Sequence, residues 1–238
     1  MRLSDRILNL AVPARCAGCR LQRDTVQGLC LACRESLVPS AHAFRRRGLP
    51  AVTAVGRYTD VLAEVLNEYK ERGRRELARP LSGLLRPTLT AWQLTLPSRP
   101  ILVPVPATPS ARRARGFDHV SELGRHLDAV LLRLLGARDR PDSVGLGESD
   151  RERFARKSLY PAVNPATAFA AIDPETPAPD ADTVAEGPSP GASSVPADRP
   201  VLLLDDIVTT GATLRAATAV LRSVGVRVAG ALVLARAR

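Results

Sequence analysis

The stretch VLLLDDIVTTGATL, residues 201–214, constrains the fold of this chain more than any other segment. Its first four residues are apolar without polar alternation, which predicts a strand that is covered on both faces. Asp205 and Asp206 follow at the carboxyl end of that strand, and a helix is predicted over 210–224. Because α/β sheets bind ligands at the carboxyl ends of their strands, we expect a binding site here.

The two adjacent carboxylates of this stretch need a partner. Asp205 and Asp206 repel each other unless cations or hydroxyl groups engage them, and vicinal ribose hydroxyls or a Mg²⁺ ion meet that need. The alternative is an ordinary strand that ends in acids and is followed by a threonine-capped helix. A P-loop is a further alternative, but its GxxxxGK[ST] pattern is absent from the sequence.

The residues after the acids suit an anion. Gly211 permits a tight turn, and hydroxyl groups come from Thr209, Thr210 and Thr213. The helix that begins near residue 211 points free N–H groups and the positive end of its dipole toward the turn. Together with the paired acids, this loop favours a sugar that carries both hydroxyls and a 5′-phosphate.

The rest of the chain alternates between strand and helix patterns. We expect a parallel sheet with helices on both faces, hence an α/β fold. The expected elements are a strand at 51–58, helix over 60–92 with interruptions near Gly73 and Pro80, a strand at 101–105, a helix over 119–137 and a final strand within 226–235. Residues 173–200 are rich in Pro, Ala, Ser and acids and are predicted to be a disordered insertion.

The formal net charge of +10 comes almost entirely from arginine. Such a charge attracts polyanions, either nucleic acid or phosphorylated metabolites, although surface solvation explains many single arginines equally well. No uninterrupted apolar run approaches the length of a membrane span, and the N-terminus lacks the apolar core of a secretory signal. These features predict a cytoplasmic protein.

All four cysteines lie near the N-terminus, as Cys16-x₂-Cys19 and Cys30-x₂-Cys33. Two such turns bring four thiolates to one point, which suits a structural Zn²⁺, with redox-active pairs as the alternative. We therefore expect residues 1–40 to form a zinc-ribbon-like module and residues 51–238 to form the main domain. The arginines around the cysteines suit DNA contact or simple solubility equally.

The segment LLLDDIVTTGAT resembles the 5-phosphoribosyl 1-diphosphate (PRPP) binding motif of type I phosphoribosyltransferases. LVPVPATPSARRARGF, residues 102–117, is similar to the VPVP…RGF segment of the ComF family of competence-associated, phosphoribosyltransferase-like proteins. The double CxxC module and the Tyr69-Lys70 pair also fit that pattern. The resemblance implies a type I phosphoribosyltransferase-like sheet and a link to DNA uptake.

The resemblance also implies roles for particular residues. Asp205 and Asp206 would face the ribose hydroxyls as the catalytic acids, and the 5′-phosphate would lie against Thr209, Thr210, Gly211, Ala212 and Thr213. The loop 104–116 would hold pyrophosphate through Arg112, Arg115 and Gly116, with Lys70 close by. Mg²⁺ would accompany PRPP.

The chain departs from the family pattern at two places. Asp118-His119 stands where the family usually has Asn-Gln, and residues 142–154 lack two amides of the loop that closes over the substrate. A histidine at the start of a helix is more often a cap or a surface residue than a catalytic group. These departures put normal turnover in doubt.

Two functions follow as hypotheses. The first is Mg²⁺-dependent transfer of phosphoribosyl from PRPP to an unidentified acceptor, in connection with competence and DNA uptake. The alternative is a non-catalytic factor that handles single-stranded DNA and uses the PRPP fold as a binding module. Expected partners are PRPP or a related ribose phosphate, single-stranded DNA, competence and DNA-processing proteins, and a second copy of the chain in a homodimer.

Overall fold

The computed structural model of the chain describes residues 15–139, 148–170 and 199–237. The predictions for residues 1–14 and 142–147, and for nearly all of the insertion at 173–200, lie outside this part of the chain. The strands are β1 (His42–Phe44), β2 (Ala51–Arg57), β3 (Ile101–Pro104), β4 (Leu135–Ala137), β5 (Leu159–Pro161), β6 (Val201–Val208) and β7 (Val228–Arg236). The helices are α1 (Leu31–Ser36), α2 (Asp60–Glu71), α3 (Ala78–Thr95), α4 (Pro109–Arg115), α5 (His119–Gly124), α6 (Glu148–Ser158), α7 (Pro165–Ala170) and α8 (Ala212–Ser223).

The main sheet has the strand order β1-β2-β7-β6-β3. Strands β2, β7, β6 and β3 run parallel, and β1 pairs antiparallel with β2 at one edge. The prediction of a parallel sheet flanked by helices is therefore confirmed for four strands, while the edge strand β1 is antiparallel. Because β6 lies between β7 and β3, its carboxyl end is central to the edge where ligands of such sheets bind.

Each face of the sheet packs against its own set of helices. Face A carries Leu202 and Leu204 and is covered by α2, α3 and α5. Face B carries Val201 and Leu203 and is covered by α6, α7, α8 and the antiparallel β4–β5 pair. The side chains of β6 alternate between the faces, as a pleated strand requires. Since both faces are buried, β6 tolerates an unbroken apolar run.

The helix predicted over 119–137 is wrong beyond its first turns. Helix α5 ends at Gly124, and Leu131 packs directly over that glycine. The chain then turns back along β3, where the Leu102 N–H donates to the Val130 carbonyl and the Leu132 N–H donates to the Leu102 carbonyl, at 2.8 and 2.9 Å. The apolar spacing of this segment suits a helix as well as an extended chain, but hydrogen bonding to β3 favours the extended chain.

The region predicted as helix over 60–92 is interrupted once rather than twice. Gly73 adopts φ 65° between α2 and a short 3₁₀ turn at Arg75–Leu77. Pro80 lies in the first turn of α3, where a missing N–H costs no helical hydrogen bond, so it causes no break. Among the described helices, none combines the length and the apolar character needed to cross a bilayer.

The cysteine segment packs on face A. Cys16, Ala17, Leu29, Cys30 and Cys33 are buried in the same apolar cluster as α2 and α3. The Arg74 guanidinium also donates to the Arg15 carbonyl at 2.9 Å. The described part of this segment thus shares its packing with the main sheet, and the domain division at residue 40 stays a prediction.

Candidate functional site

Asp205 and Asp206 lie inside strand β6, which continues to Val208. Their exposed fractions are only 8% and 4%. We expected these acids at an exposed strand end, and the structure differs because β7 pairs with β6 through Val208. Two buried adjacent carboxyl groups are costly, so their partners decide what the site can do.

Asp206 has two partners from face A. Its Oδ2 lies 3.0 Å from Lys70 Nζ, near the end of α2, and 3.0 Å from His119 Nε2, at the start of α5. The side chain of Asp206 thus points to the same face as Leu202 and Leu204. The structure brings Lys70 to the acidic pair, as the family resemblance implies.

His119 is held in one tautomer. Its Nδ1 lies 3.1 Å from the Arg115 guanidinium, which can only donate, so Nδ1 accepts and Nε2 carries the hydrogen that is donated to Asp206. Arg115 also donates to the Lys70 carbonyl, and Tyr69 Oη donates to the His119 carbonyl at 2.6 Å. His119 is 6% exposed, so its interpretation as a surface residue is wrong.

The two carboxyl groups have opposite pKa shifts. Burial raises the pKa of Asp205 well above its usual range, and the charge of Asp206 adds to this. Burial also opposes ionisation of Asp206, but the Lys70 ammonium and the hydrogen bond from His119 together hold the pKa of Asp206 well below its usual range. The charge of Asp206 raises the pKa of Lys70 in turn. Asp206 is therefore an ionised acceptor, while Asp205 keeps its proton to higher pH.

The loop after β6 has the backbone of an anion cradle. Gly211 adopts φ 81° immediately before α8, and a Cβ there would lie 2.6 Å from the Leu49 side chain. The Ala212 N–H donates to Thr210 Oγ1 at 3.3 Å. The next N–H groups of the first turn of α8 have no partner within the helix, which is what an anion requires. Thr209 is exposed, and Thr210 and Thr213 are half-buried.

The segment predicted to hold pyrophosphate contains helix α4. Thr108 Oγ1 accepts from the Ala111 N–H at its start, and Gly116 ends it with φ 82°. Arg112 is exposed on this helix, whereas Arg115 turns inward to Lys70 and His119. Gly116 is therefore also explained by helix capping, in addition to the expected pyrophosphate contact.

The four cysteines converge as a candidate metal site. The Sγ atoms of Cys16, Cys19, Cys30 and Cys33 all lie within 4.8 Å of one another. Cys19 and Cys30 are 3.9 Å apart, which matches the spacing of about 3.8 Å that tetrahedral Zn–S bonds of about 2.3 Å produce. These thiols are free, so the donor set is consistent with structural zinc.

The thiols of this cluster are unequal. Burial opposes ionisation of Cys16, but backbone N–H donors, that of Cys30 first, lower the pKa of the Cys16 thiol to about 6. Burial and the neighbouring thiols raise the pKa of Cys33. One thiolate is thus already favoured, and a dication is the partner that would favour the others.

Sequence reasoning missed two parts of this site. The first is the role of Asp118, which caps α5 by accepting from the Ser121 N–H at 3.0 Å. The acid next to His119 therefore has a partner within the fold. The run Arg45-Arg46-Arg47 is not among the predicted site residues, yet Arg46 donates to the Thr209 carbonyl at 3.4 Å. Three consecutive arginines close to a predicted strand were the available signal.

The fold and the site define a class: an α/β domain with paired buried acids near the carboxyl end of an inner parallel strand, followed by a glycine turn at a helix N-terminus. Consistent with this class, residues 158–238 match the family model described as the phosphoribosyl transferase domain. The match covers about a third of the chain and includes β6, the acidic pair and α8. It supports a type I phosphoribosyltransferase-like kind of protein. No curated protein matches the sequence.

Proposed function

We propose that this protein binds PRPP and transfers its phosphoribosyl group to an unidentified acceptor, as a member of the ComF family. One observation carries the proposal. The ionised Asp206 and its neighbour Asp205 adjoin a glycine turn at the N-terminus of α8, within the segment that matches the phosphoribosyl transferase domain. Paired acids suit ribose hydroxyls, and the turn suits the 5′-phosphate.

Each group in the site has a task in this proposal. Asp206 accepts from a ribose hydroxyl, and Lys70 with His119 keeps it ionised. Asp205 engages the neighbouring hydroxyl. The N–H groups and hydroxyls of residues 209–213 hold the phosphate. Arg112, with Gly116 close by, supplies the exposed cation for pyrophosphate, while Arg115 positions Lys70 and His119.

The reaction is a substitution at the anomeric carbon of PRPP. The acceptor's lone pair forms a bond to that carbon, and the bond to the pyrophosphate oxygen breaks with its electron pair leaving on pyrophosphate. Positive charge develops on the sugar, so the protein contributes by positioning and electrostatics rather than by covalent chemistry. Carboxylate oxygens such as those of Asp205 and Asp206 are suitable ligands for Mg²⁺. Bound with PRPP, Mg²⁺ would neutralise charge on the departing pyrophosphate.

The cysteine cluster has a structural task. Zinc held by Cys16, Cys19, Cys30 and Cys33 would fix the segment that packs against α2 and α3. Four thiolates leave no open position on a tetrahedral ion, so catalysis by this metal is not part of the proposal. Reduced thiols that hold zinc fit a cytoplasmic protein.

Calorimetric titration with PRPP and Mg²⁺ tests the binding function. We expect saturable binding by the wild type and none by the Asp205→Asn/Asp206→Asn double variant. Asp128→Asn is the matched control, since the side chain of Asp128 is 94% exposed and remote from β6 in sequence. Release of labelled pyrophosphate with a panel of nitrogenous bases and amines then tests turnover. Unchanged PRPP affinity in the double variant would refute the roles given to the two acids.

The alternative is a non-catalytic factor that handles single-stranded DNA during competence. The net charge of +10 and the exposed run Arg45-Arg46-Arg47 favour it. A salt-dependent gel shift on single-stranded DNA, lost on changing the cysteines to serine, would support this function. PRPP binding without pyrophosphate release would favour the alternative over the enzyme. Sedimentation of the full chain tests the proposed homodimer.

A further inference from the structure

The connection between β1 and β2, residues 45–50, lies against the loop that follows β6. Leu49 packs on Gly211, and the Arg46 guanidinium donates to the Thr209 carbonyl at 3.4 Å. Gly48 lies beside the Arg215 side chain. Three successive contacts therefore dock this connection on residues 209–215, far away in the sequence.

Two arginines gather around one aromatic ring at this place. The Cζ atom of Arg46 lies 5.9 Å from the centroid of the Phe44 ring, and the Cζ atom of Arg236 lies 4.6 Å from it. Arg236 pairs in register with Val208, immediately before Thr209. Among the described residues, no carboxylate forms an ion pair with Arg46 or Arg236. Neither charge is neutralised by a described carboxylate, so an anion close to this cluster would be attracted by both guanidinium groups.

The loop after β6 lacks a cation of its own. Residues 205–214 contain neither lysine nor arginine, so their side chains offer only hydroxyls and carboxyls. A phosphate monoester carries nearly two negative charges at neutral pH. Backbone N–H groups alone would balance that charge poorly beside two buried acids. A further cation from another part of the chain would balance this charge, and the β1–β2 connection contacts the loop through Leu49 and Arg46.

We propose that Arg46, assisted by Arg236, binds the 5′-phosphate of the sugar ligand and makes the site selective for phosphorylated over unphosphorylated ribose. This inference rests on the proposed function, since it assumes that residues 209–213 hold that phosphate. It adds a determinant from outside the segment that matches the phosphoribosyl transferase domain. Arginine suits the role, because its planar fork pairs with phosphate oxygens in a bidentate manner.

Calorimetry with ribose 5-phosphate and with PRPP, at fixed ionic strength, tests the inference. We expect Arg46→Gln to weaken the affinity for both ligands by about tenfold or more, as loss of a charge-assisted contact does. Arg46→Lys should recover part of the affinity. Arg45→Gln and Arg47→Gln remove the same charge from exposed neighbours and should retain wild-type affinity. Arg236→Gln should also lower the affinity for both ligands, which tests the second arginine separately.

The outcomes separate the two ideas. If the wild type binds PRPP and Arg46→Gln binds it as tightly as Arg45→Gln does, this inference is wrong and the proposed function stands. If Arg45→Gln, Arg46→Gln and Arg47→Gln weaken binding equally, general charge attraction is responsible and the inference is again wrong. If the wild type binds neither ligand, the proposed function and the inference both fail. Unchanged unfolding midpoints exclude misfolding as the cause.

Discussion

Replacing the two acids of β6 one at a time should change stability in opposite directions. Asp205→Asn removes a carboxyl group whose ionisation is opposed by burial and by Asp206. In the wild type, the Asp206 N–H donates to Asp205 Oδ1 at 2.9 Å, and the asparagine oxygen can accept the same hydrogen bond. The desolvation penalty of an uncompensated buried polar group is about 1–3 kcal/mol, so removing this ionisable group should stabilise the fold at pH 7 by up to that amount.

Asp206→Asn should destabilise the protein. The variant leaves the Lys70 ammonium beside a neutral amide and weakens the acceptor for His119 Nε2. Breaking a fully buried pair costs about 3–5 kcal/mol. The side chain of Lys70 is 33% exposed and can turn toward water, so we expect a smaller loss of about 1–3 kcal/mol.

The pH dependence has a sign for each acid. The pKa of Asp206 is lowered on folding, so its contribution is present above the unfolded value of about 3.9 and is lost as pH falls through the lower folded pKa. The pKa of Asp205 is raised, so the folded wild type loses stability as pH rises from about 3.9 through the raised value. The gain from Asp205→Asn should therefore disappear in acid.

Urea unfolding followed by tryptophan fluorescence measures both changes. The single tryptophan, Trp92, is half-buried and donates to Thr53 Oγ1 at 3.2 Å, so its emission reports on packing between α3 and the sheet. Asp128→Asn, in an exposed pair with Arg99, should change nothing measurable. A less stable Asp205→Asn variant at pH 7, or an Asp206→Asn variant as stable as the wild type, would refute the reasoning.

Three further predictions concern other parts of the molecule. Zinc chelation, or Cys30→Ser, should lower the thermal unfolding midpoint, and adding zinc back should restore it only in the wild type. Gly211→Ala should cost about 2–4 kcal/mol in urea unfolding, because φ is 81° and the new Cβ meets a side chain, whereas Gly225→Ala, with φ 80° and open space around it, should cost only about 1–2 kcal/mol. His119→Leu should raise the pKa of Asp206 by removing a donor, as carbon-detected NMR titration would measure; an unchanged pKa would contradict the proposed hydrogen bond.

The central sheet could be predicted from the sequence because its strands are short, apolar and bounded by turns. The mainly apolar stretches at 51–58, 101–105 and 201–204 leave little choice but a buried parallel sheet. The segment at 119–137 could not be predicted in the same way. Its apolar spacing fits a helix, and only the packing of Leu131 on Gly124 and the free edge of β3 decide otherwise.

The site was predictable where the residues are adjacent in sequence and not where distant elements meet. The paired acids and the glycine turn lie within a few residues of one another, so their motif is visible directly. The contact of His119 with Asp206 joins residues 87 apart, and that of Arg46 with Thr209 joins residues 163 apart. A histidine at the start of a helix and an arginine run carry no local sign of such partners.

The opposite behaviour of the two acids follows from the geometry of a strand. Side chains alternate between the faces of a sheet, so Asp206 faces α2 and α5, where Lys70 and His119 meet it, while Asp205 belongs to the other face. An ionised Asp206 beside an Asp205 that keeps its proton to higher pH lowers the repulsion between the two buried carboxyl groups. An asparagine pair would avoid the energetic cost, but in the proposed reaction it would place no full charge near the positive charge on the sugar. Under the proposed function, the electrostatic cost at Asp205 is expected, because binding sites are selected for function rather than for stability.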